Sequence, residues 1–369
     1  MTKITLFLSA FCVSAGIIPL TIFASRKLHL FDHIDNRKIH NCNISRLGGI
    51  AIFAGFMALY LFGVFNGTLH HYCNTAVYTT AITGAFLTGF LDDIMQFRAR
   101  YKLALQILAA SLAVYSGLSI ERIEVLSLFT IELGVLSSVF TVIWIVLFVN
   151  VINLMDGMDG LAGGVSLIAA LFMAAIAFSN GNTAVLMISL IMSGAILGFL
   201  VFNFPPAKIF MGDGGAYFLG FLFGTMPLMG VSKTSTFTLF LFPLALLSLH
   251  ILDIVSVILI RSSNGQHIFV ADNNHIHHRL MRLGLSVRTI LVVFYGLTCI
   301  FGFISLSLLH LPRNFALLFY FGIFCISSLI FLGLYIAEEI RIRNAAVRPI
   351  RSMELINMNI QVENEIHGK

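Results

Sequence analysis

The chain has 369 residues, of which 58% are apolar and 11% are charged, whereas about 25% of the residues of a soluble globular domain are charged. Its 22 basic and 17 acidic side chains are too few to cover the surface of a soluble protein of this size. A single soluble domain is therefore excluded. The net charge of +5 is spread between apolar runs and is not gathered on one basic domain, so no nucleic-acid partner is predicted.

A helix that crosses a lipid bilayer needs about 20 mostly apolar residues. Eleven runs of the sequence approach this length, and they predict an all-α, polytopic membrane protein with about eleven transmembrane helices. The predicted spans cover residues 4–24, 47–66, 74–91, 102–118, 136–154, 161–179, 183–202, 215–232, 235–260, 288–310 and 315–337. The chain then divides into a membrane domain, residues 1–337, and a polar cytoplasmic tail, residues 338–369, with partial disorder expected in the tail.

The positive residues predict the orientation of the chain. If the N-terminus lies outside, all but four of the 22 Lys and Arg residues fall on the inner side, the exceptions being Lys3, Arg122, Lys233 and Arg313. Basic residues are retained in cytoplasmic loops, so the C-terminus is predicted to be cytoplasmic, in agreement with an odd number of spans. Between the fourth and fifth spans, β-branched residues alternate within the outer segment 119–135 and favour a short β-hairpin.

The acidic residues are distributed unevenly. Apart from the outer segment and the tail, every acid is an aspartate, and all of these except Asp253 lie in predicted inner loops or at inner helix ends. An ionisable side chain near hydrocarbon costs a few kcal/mol unless it is paired or hydrated. Helix capping or contact with water at a helix end explains any one of them. Several on one side of the membrane, beside basic residues, indicate a functional site.

The first candidate is the aspartate pair, Asp92-Asp93, which ends the third span and precedes a short basic stretch that includes Lys102. Adjacent carboxylates repel each other and are tolerated when they are hydrated or when a cation binds between them. A divalent metal ion would supply that cation. Alone, however, the pair is also compatible with a hydrated helix end.

The second candidate is the Asn/Asp motif, residues 150–161, in which Asn150, Asn153, Asp156 and Asp159 recur every third residue at the inner end of the fifth span. This spacing keeps the four side chains along one edge of a helix. Two amides and two carboxylates offer only oxygen-type ligands, which suit Mg²⁺ or Mn²⁺ and not zinc. Four polar residues within ten exceed what helix capping requires, so the motif predicts a site.

The third candidate is the glycine-aspartate turn, residues 204–215. Its prolines end the seventh span, Lys208 can meet a phosphate, and Asp213 lies on a turn flanked by glycines. A plain turn is the alternative interpretation. Its predicted position on the same inner surface as the other motifs favours a functional role.

The fourth candidate is the histidine segment, residues 272–280, which contains His275, His277, His278 and Arg279. It is predicted to form a short helix with Ile276 and other apolar residues on one face, ending at a glycine and leaving the last three polar residues largely on the other face. Three histidines can bind zinc, but the neighbouring arginine favours an anion.

A basic stretch, residues 32–49, precedes the second span and contains Arg37, His40 and Arg46. It is either a solvated inner loop that enforces the topology or a basic surface for a phosphorylated substrate. The sequence alone leaves both interpretations open.

Taken together, the motifs resemble those of the polyprenyl-phosphate N-acetylhexosamine-1-phosphate transferase family, part of glycosyltransferase family 4, and they occur in the family's order. The histidine segment is more similar to the branch that primes O-antigen, enterobacterial common antigen and wall teichoic acid synthesis than to the muramoyl-pentapeptide branch. The resemblance runs from about residue 32 to 280 and is carried by Arg37-Lys38-Ile39-His40, Arg46-Leu47-Gly48-Gly49, Leu91-Asp92-Asp93, Lys102, Gln106, residues 150–161, Phe210-Met211-Gly212-Asp213 and His275-Ile276-His277-His278.

The resemblance implies that undecaprenyl phosphate attacks the β-phosphorus of UDP-N-acetylglucosamine and releases UMP. It implies a multi-pass protein of the bacterial cytoplasmic (inner) membrane, with its site on the cytoplasmic face and a role in cell-envelope polysaccharide synthesis. Another UDP-N-acetylhexosamine or UDP-N-acetylmuramoyl-pentapeptide stays open as the donor, and so does a homodimer. From a different class, a secondary transporter is the rival, although transporters place their ionisable residues near the bilayer midplane.

The resemblance also implies the role of each residue. Mg²⁺, with Mn²⁺ as the alternative, is expected to be held by Asn153 and Asp213 with Asp93 nearby. The expected catalytic residues are Asp92, Asp93, Asp156, Asp159 and His278. The expected substrate-binding residues are Lys102, Asn150, Asp159 at the uracil, Lys208, His275, His277, His278, Arg279, Arg37, His40 and Arg46.

Overall fold

The computed structural model describes residues 2–28, 44–69, 73–125, 129–229, 236–263 and 275–367. Within these ranges the chain forms thirteen α-helices and one two-stranded sheet. The helices are α1 (Lys3–Leu28), α2 (Gly48–Phe65), α3 (Thr75–Met95), α4 (Ala99–Tyr115), α5 (Leu136–Met155), α6 (Leu161–Ser179), α7 (Thr183–Asn203), α8 (Gly212–Thr225), α9 (Thr236–Leu246), α10 (Ser248–Ser263), α11 (Ile276–Arg282), α12 (Val287–Ser307) and α13 (Arg313–His367).

Helices occupy all eleven predicted spans, but the ninth run, residues 235–260, is divided between α9 and α10 at Leu247. An apolar run of this length does not by itself show where the chain turns. Seven helical segments are long and apolar enough to cross a membrane: α1, α2, α5, α6, α7, α12 and the Asn314–Arg341 part of α13. The chain is thus a mostly helical, polytopic membrane protein, while the count of eleven spans and the orientation stay predictions.

The outer segment forms the expected hairpin. Strand β1 (Arg122–Val125) pairs antiparallel with β2 (Phe129–Glu132), and Arg122 lies opposite Glu132. At the other end of the chain, α13 continues without a break through Ala337 to His367. The tail therefore begins as a direct extension of the last apolar helix, and the expected partial disorder stays a prediction.

Helix α8 lies at the centre of the packing, and almost all of its residues are buried. It contacts α2, α3 and α5, and the Phe218 ring meets the rings of Phe53 and Phe56 edge-on at 5.4 and 5.2 Å. A helix that is apolar on every side is buried either in protein or in lipid, and the contacts of α8 show that neighbouring helices surround it. The N-terminus of α8 is therefore held among the ends of its neighbours.

The loop that precedes α2 is joined to the glycine-aspartate turn by backbone hydrogen bonds. The Phe210 N–H donates to the Ser45 carbonyl (2.8 Å), while Gly48 and Gly49 donate to the carbonyls of Phe210 (2.9 Å) and Met211 (2.8 Å). These bonds bring the end of the basic stretch beside the start of α8.

Candidate active site

Four helix ends bring the sequence motifs together. The aspartate pair lies in the last turn of α3, Lys102 near the start of α4, Asn153 in the last turn of α5 and Asp213 in the first turn of α8. The predicted third span ended at residue 91, so the pair lies beyond the predicted membrane-spanning part. Residues more than 100 positions apart in the sequence thus meet at one point.

Asp213 is at the centre of this cluster. Its Oδ1 accepts a hydrogen bond from Asn153 Nδ2 at 2.9 Å, and its Oδ2 lies 3.4 Å from the Lys102 ammonium. Although burial opposes the charged form, hydrogen bonding within the cluster and the positive charge of Lys102 lower the pKa of Asp213 below its usual value. The Asp213 side chain therefore carries a negative charge at neutral pH.

Asp92 lies on the other side of the same ammonium. Its Oδ2 contacts Lys102 Nζ, and its Oδ1 accepts the Phe97 N–H at 2.8 Å. Burial raises the pKa of Asp92, and the neighbouring carboxylate of Asp213 adds to the rise. Lys102 thus bridges two carboxylates that come from different helices.

Asp93 faces the start of α8. Its two carboxylate oxygens accept the backbone N–H groups of Asp213 (2.9 Å) and Gly214 (3.0 Å). Carboxylates are favoured at helix N-termini because unpaired N–H groups point outward there. Burial, together with the charge of Asp213, nevertheless raises the pKa of Asp93 to about 7. The structure therefore gives Asp93 an anchoring contact and leaves its predicted metal contact untested.

Asp156 adds a fourth acid at this point. Burial raises its pKa well above the usual value, Asp213 adds to the rise, and Arg46 opposes it. Four carboxyl groups are therefore close to two basic side chains, Lys102 and Arg46. A cluster with this excess of acid gains from a further cation.

The oxygen donors of the cluster fit a magnesium ion. No group of three His, Cys, Asp or Glu side chains that could hold a metal is found among the described residues. Mg²⁺ does not require one, because it usually keeps several waters and is bound by one or two carboxylates together with substrate phosphates. Asp213 offers a carboxylate, and the Asn153 amide next to it carries an oxygen beside the nitrogen now facing Asp213.

Two other residues of the Asn/Asp motif bind their own chain. Asn150 donates through Nδ2 to Gln106 Oε1 on α4 at 2.9 Å. The Asp159 Oδ2 atom accepts the Ala207 N–H at 3.0 Å. Asp159 is buried, so it ties the Asn/Asp motif to the glycine-aspartate turn. Its predicted contact with uracil stays a prediction.

The histidine segment reaches the same region through His277. A Cβ atom on Gly157 would lie 2.4 Å from His277 Nε2, so the ring packs directly on the glycine backbone. His275 and His277 stack at 6.0 Å, and the rings of His277 and His278 lie 4.4 Å apart. Burial, with the neighbouring histidines, lowers the pKa of His277 well below its usual value, so the ring is neutral at neutral pH.

A side chain at position 157 is expected to displace His277. In Gly157→Ala, the added methyl group overlaps the imidazole, and we expect the transfer reaction that the sequence motifs imply to fall by about tenfold or more. Transfer is measured with purified protein in detergent, and Gly296→Ala, where a Cβ meets nothing within 4 Å, is the matched control. In the His277→Ala background the same change should cost little, because the ring that it displaces is absent. Equal losses in both backgrounds would contradict the contact.

The structure places Arg279 differently from the prediction. It is buried, with its guanidinium 5.0 Å from the Tyr335 ring and Nη1 3.5 Å from the Glu338 carboxylate of α13. Glu338 also accepts a 2.6 Å hydrogen bond from Arg282. The polar face predicted for α11 is thus partly covered by α13. The sequence pattern did not reveal this contact, because it marks only the apolar face of a helix.

The remaining predicted residues divide into two groups. Lys208 is exposed beside the buried Ala207, and its predicted contact with phosphate stays a prediction. Arg46 lies near the aspartates. Arg37 and His40 lie outside the described residues, so their predicted role is untested.

Sequence reasoning missed two residues that shape the site. Asn203 accepts the Gly160 N–H at 2.9 Å and donates to the Ile209 carbonyl at 2.8 Å. Tyr295 of α12 donates to the Gly160 carbonyl at 2.5 Å. An asparagine at the end of an apolar run was a usable signal for the first residue, whereas no local pattern distinguishes the tyrosine.

Several known proteins are similar in sequence to this chain over most of its length. The sequence profile of Glycosyl transferase family 4 matches residues 75–231. A probable undecaprenyl-phosphate N-acetylglucosaminyl 1-phosphate transferase of Bacillus subtilis is 37% identical over 79% of this chain and 81% of its own length. A decaprenyl-phosphate N-acetylglucosaminephosphotransferase of Mycobacterium tuberculosis is 32% identical over 75% of each chain.

A phospho-N-acetylmuramoyl-pentapeptide-transferase of Clostridium beijerinckii is 34% identical over 59% of this chain and 70% of its own length. All three relatives are named as transferases of a phospho-sugar, the Bacillus and Mycobacterium names include a polyprenyl phosphate, and the sugars in the names differ. The helices long and apolar enough to cross a membrane, and the similarity to these relatives, lead to one conclusion: the chain belongs to glycosyl transferase family 4 and is a polyprenyl-phosphate hexosamine-1-phosphate transferase.

Proposed function

We propose that the enzyme transfers N-acetylglucosamine 1-phosphate from UDP-N-acetylglucosamine to undecaprenyl phosphate and releases UMP. The lipid-linked product would prime a cell-envelope polysaccharide. The names of the Bacillus and Mycobacterium relatives support N-acetylglucosamine as the sugar. UDP-N-acetylmuramoyl-pentapeptide remains the second candidate donor, because the Clostridium relative carries that name.

The observation that carries this proposal is the convergence of Asp92, Lys102, Asn153 and Asp213 at the ends of four helices. Two anionic phosphates must approach each other in the reaction, so catalysis depends mainly on charge neutralisation and positioning. Lys102 supplies a positive charge that two carboxylates hold in place. The glycine-aspartate turn beside it carries the exposed Lys208.

The residues have separate tasks in this proposal. Asp213 and Asn153 would hold Mg²⁺, which when bound neutralises charge on the pyrophosphate. Lys102 binds a phosphate oxygen, and Asp92 orients Lys102. Asp92 also either accepts a proton from the phosphate of the acceptor lipid or aligns that phosphate for attack. Asp93 fixes the N-terminus of α8 and so holds Asp213 in position.

We further propose that the protein lies in the bacterial inner membrane with the site on its cytoplasmic face. The support is the excess of Lys and Arg in the loops that share a side with the aspartates. The proposed donor is a nucleotide-activated sugar, and a site on the cytoplasmic side would give it access to such a donor. A homodimer remains a prediction of the sequence.

The test is a donor panel. Purified protein in detergent, with Mg²⁺ and undecaprenyl phosphate, is offered UDP-N-acetylglucosamine, UDP-N-acetylgalactosamine and UDP-N-acetylmuramoyl-pentapeptide in separate reactions. We expect UMP release and a lipid product with the mass of the diphosphate-linked N-acetylglucosamine. A product from the muramoyl donor alone would replace the proposed sugar, and no product from any donor would reject the proposal.

Removal of divalent metal should stop the reaction. We expect EDTA to lower UMP release by more than about 100-fold, because a bound metal ion contributes several kcal/mol of charge stabilisation. Excess Mg²⁺ should restore the rate, and Mn²⁺ should restore part of it. Full activity in EDTA, after dialysis against metal-free buffer, would remove Mg²⁺ from the proposal.

A further inference from the structure

A buried carboxylate on α10 holds the start of the histidine segment. Asp253 is 4% exposed, and its Oδ2 lies 2.9 Å from His275 Nδ1. Its Oδ1 accepts the backbone N–H of Ile276 at 3.1 Å. Both oxygens of one aspartate therefore act on two consecutive residues of a segment 22 positions further along the chain.

This contact orients the His275 ring. An aspartate is a hydrogen-bond acceptor, so it selects the form of His275 that carries its proton on Nδ1. Among the described residues, the hydrogen bonds of the His275 side chain are confined to Asp253. Nε2, on the far side of the ring from Nδ1, then carries the lone pair and is the nitrogen left to accept a hydrogen bond from a ligand. A carboxylate that fixes the tautomer of a histidine is a recurring arrangement at metal sites, and the same hydrogen bond is formed here.

The ring of His275 stacks on the ring of His277. The His275 and His277 rings are nearly parallel, at an interplanar angle of 10°. His277 in turn packs against Gly157, in the turn that follows α5. Asp253 thus anchors the segment at the end that leads to the aspartate cluster.

The burial of Asp253 argues against a role in packing alone. Burial of a carboxylate is costly unless hydrogen bonds replace the lost water. An apolar residue would fill space on α10 at lower cost, but it would supply neither the acceptor for His275 nor the one for Ile276. The two acceptors together account for the charged residue at this depth.

We propose that Asp253 is a positioning residue of the transferase: it fixes the ring orientation and tautomer of His275, and so sets which groups of the substrate the Nε2 atom of His275 can bind. This inference rests on the proposed function. Asp253 itself touches no substrate in this proposal, and its effect on the reaction passes through His275.

The test is a double-mutant cycle of Asp253→Asn with His275→Gln. The asparagine introduced on α10 can keep the acceptor for Ile276, but its amide nitrogen would donate to His275 and select the other tautomer. We expect Asp253→Asn to lower kcat/KM by about 10- to 100-fold, the range for partners of ligating histidines, and to cost less than about twofold in the His275→Gln background. Ser256→Ala, one turn further along α10, is the matched control and should stay within about twofold of wild type.

Binding of UDP-N-acetylglucosamine is measured for the wild type, both single variants and the double variant. The cycle can then be evaluated from the binding affinities even where turnover is lost. If Asp253→Asn does not fold, Asp253→Glu replaces it, since it keeps the charge but displaces the oxygens. Full activity of Asp253→Asn, or an equal loss in both backgrounds, overturns the inference. A wild-type protein that releases no UMP overturns the proposed function and this inference with it, whereas an active wild type beside an unaffected Asp253→Asn overturns the inference alone.

Discussion

Replacement of Asp213 by asparagine is expected to lower phospho-sugar transfer by more than about 100-fold while the protein stays folded. Among the described residues, Asp213 is the carboxylate that faces both Asn153 and Lys102. The substitution keeps the size of the side chain but removes its charge, so Lys102 loses one of two counter-ions and any metal ion loses its strongest ligand. Loss of a single well-placed electrostatic contact costs about 100- to 1000-fold in comparable sites.

The measurement is UMP release by the purified variant, with its elution volume and thermal midpoint compared with those of wild type. Glu132→Gln is the matched control, because it neutralises an exposed carboxylate on the outer hairpin. The control should keep full activity. If Asp213→Asn retained more than about a tenth of the wild-type rate, Asp213 could not be a metal ligand.

The helices were predictable because each apolar run is long and is ended by polar residues, glycine or proline. The runs at residues 136–154, 161–179 and 183–202 agree with α5, α6 and α7 within a residue or two. The division of the run 235–260 at Leu247 was missed, although Pro243, four residues earlier, was a usable signal because proline disturbs a helix interior. Hydropathy measures how apolar a segment is, and it does not show where tertiary contacts make the chain turn.

The members of the site were predictable, but their contacts were not. Aspartates at helix ends predicted to lie on the inner side indicated the cluster, since a carboxylate near hydrocarbon is costly unless it is paired or hydrated. The sequence did not show that Asp93 caps α8 or that Asp159 holds the Ala207 N–H. Those contacts join residues 120 and 48 positions apart. They depend on how the helices pack, which local spacing does not encode.

The histidine segment shows the same limit. Its apolar pattern correctly predicted a short helix with Ile276 and Leu280 buried, ending before Gly284. The prediction placed the polar residues largely on the opposite face, and it did not show that His277 and Arg279 on that face are also buried. The helix lies between the turn after α5 and α13, so it is covered on two sides. An amphipathic pattern predicts that the apolar face of a helix is buried, and it does not show whether the polar face is covered as well.

Replacement of Gly89 by alanine is expected to destabilise the protein by about 1–3 kcal/mol and to lower transfer by tenfold or more. A Cβ atom at this position of α3 would lie 2.1 Å from the Asp213 carbonyl oxygen and 2.6 Å from the Gly214 nitrogen. These are backbone atoms, so no flexible side chain can move aside, and overpacking of this kind costs about 1–3 kcal/mol. Either α3 or the start of α8 must shift, and the shift displaces Asp213 from Asn153 and Lys102.

Gly84→Ala provides the matched control five residues earlier on the same helix. A Cβ there meets nothing within 4 Å, so alanine should be neutral or should stabilise α3 by up to about 1 kcal/mol through its higher helix propensity. Thermal midpoint and UMP release are measured for both variants in the same detergent. Because the two substitutions make the same chemical change on one helix, a loss confined to Gly89→Ala assigns the effect to the contact between α3 and α8. Comparable behaviour of the two variants would show that the aspartates are not held by that close approach.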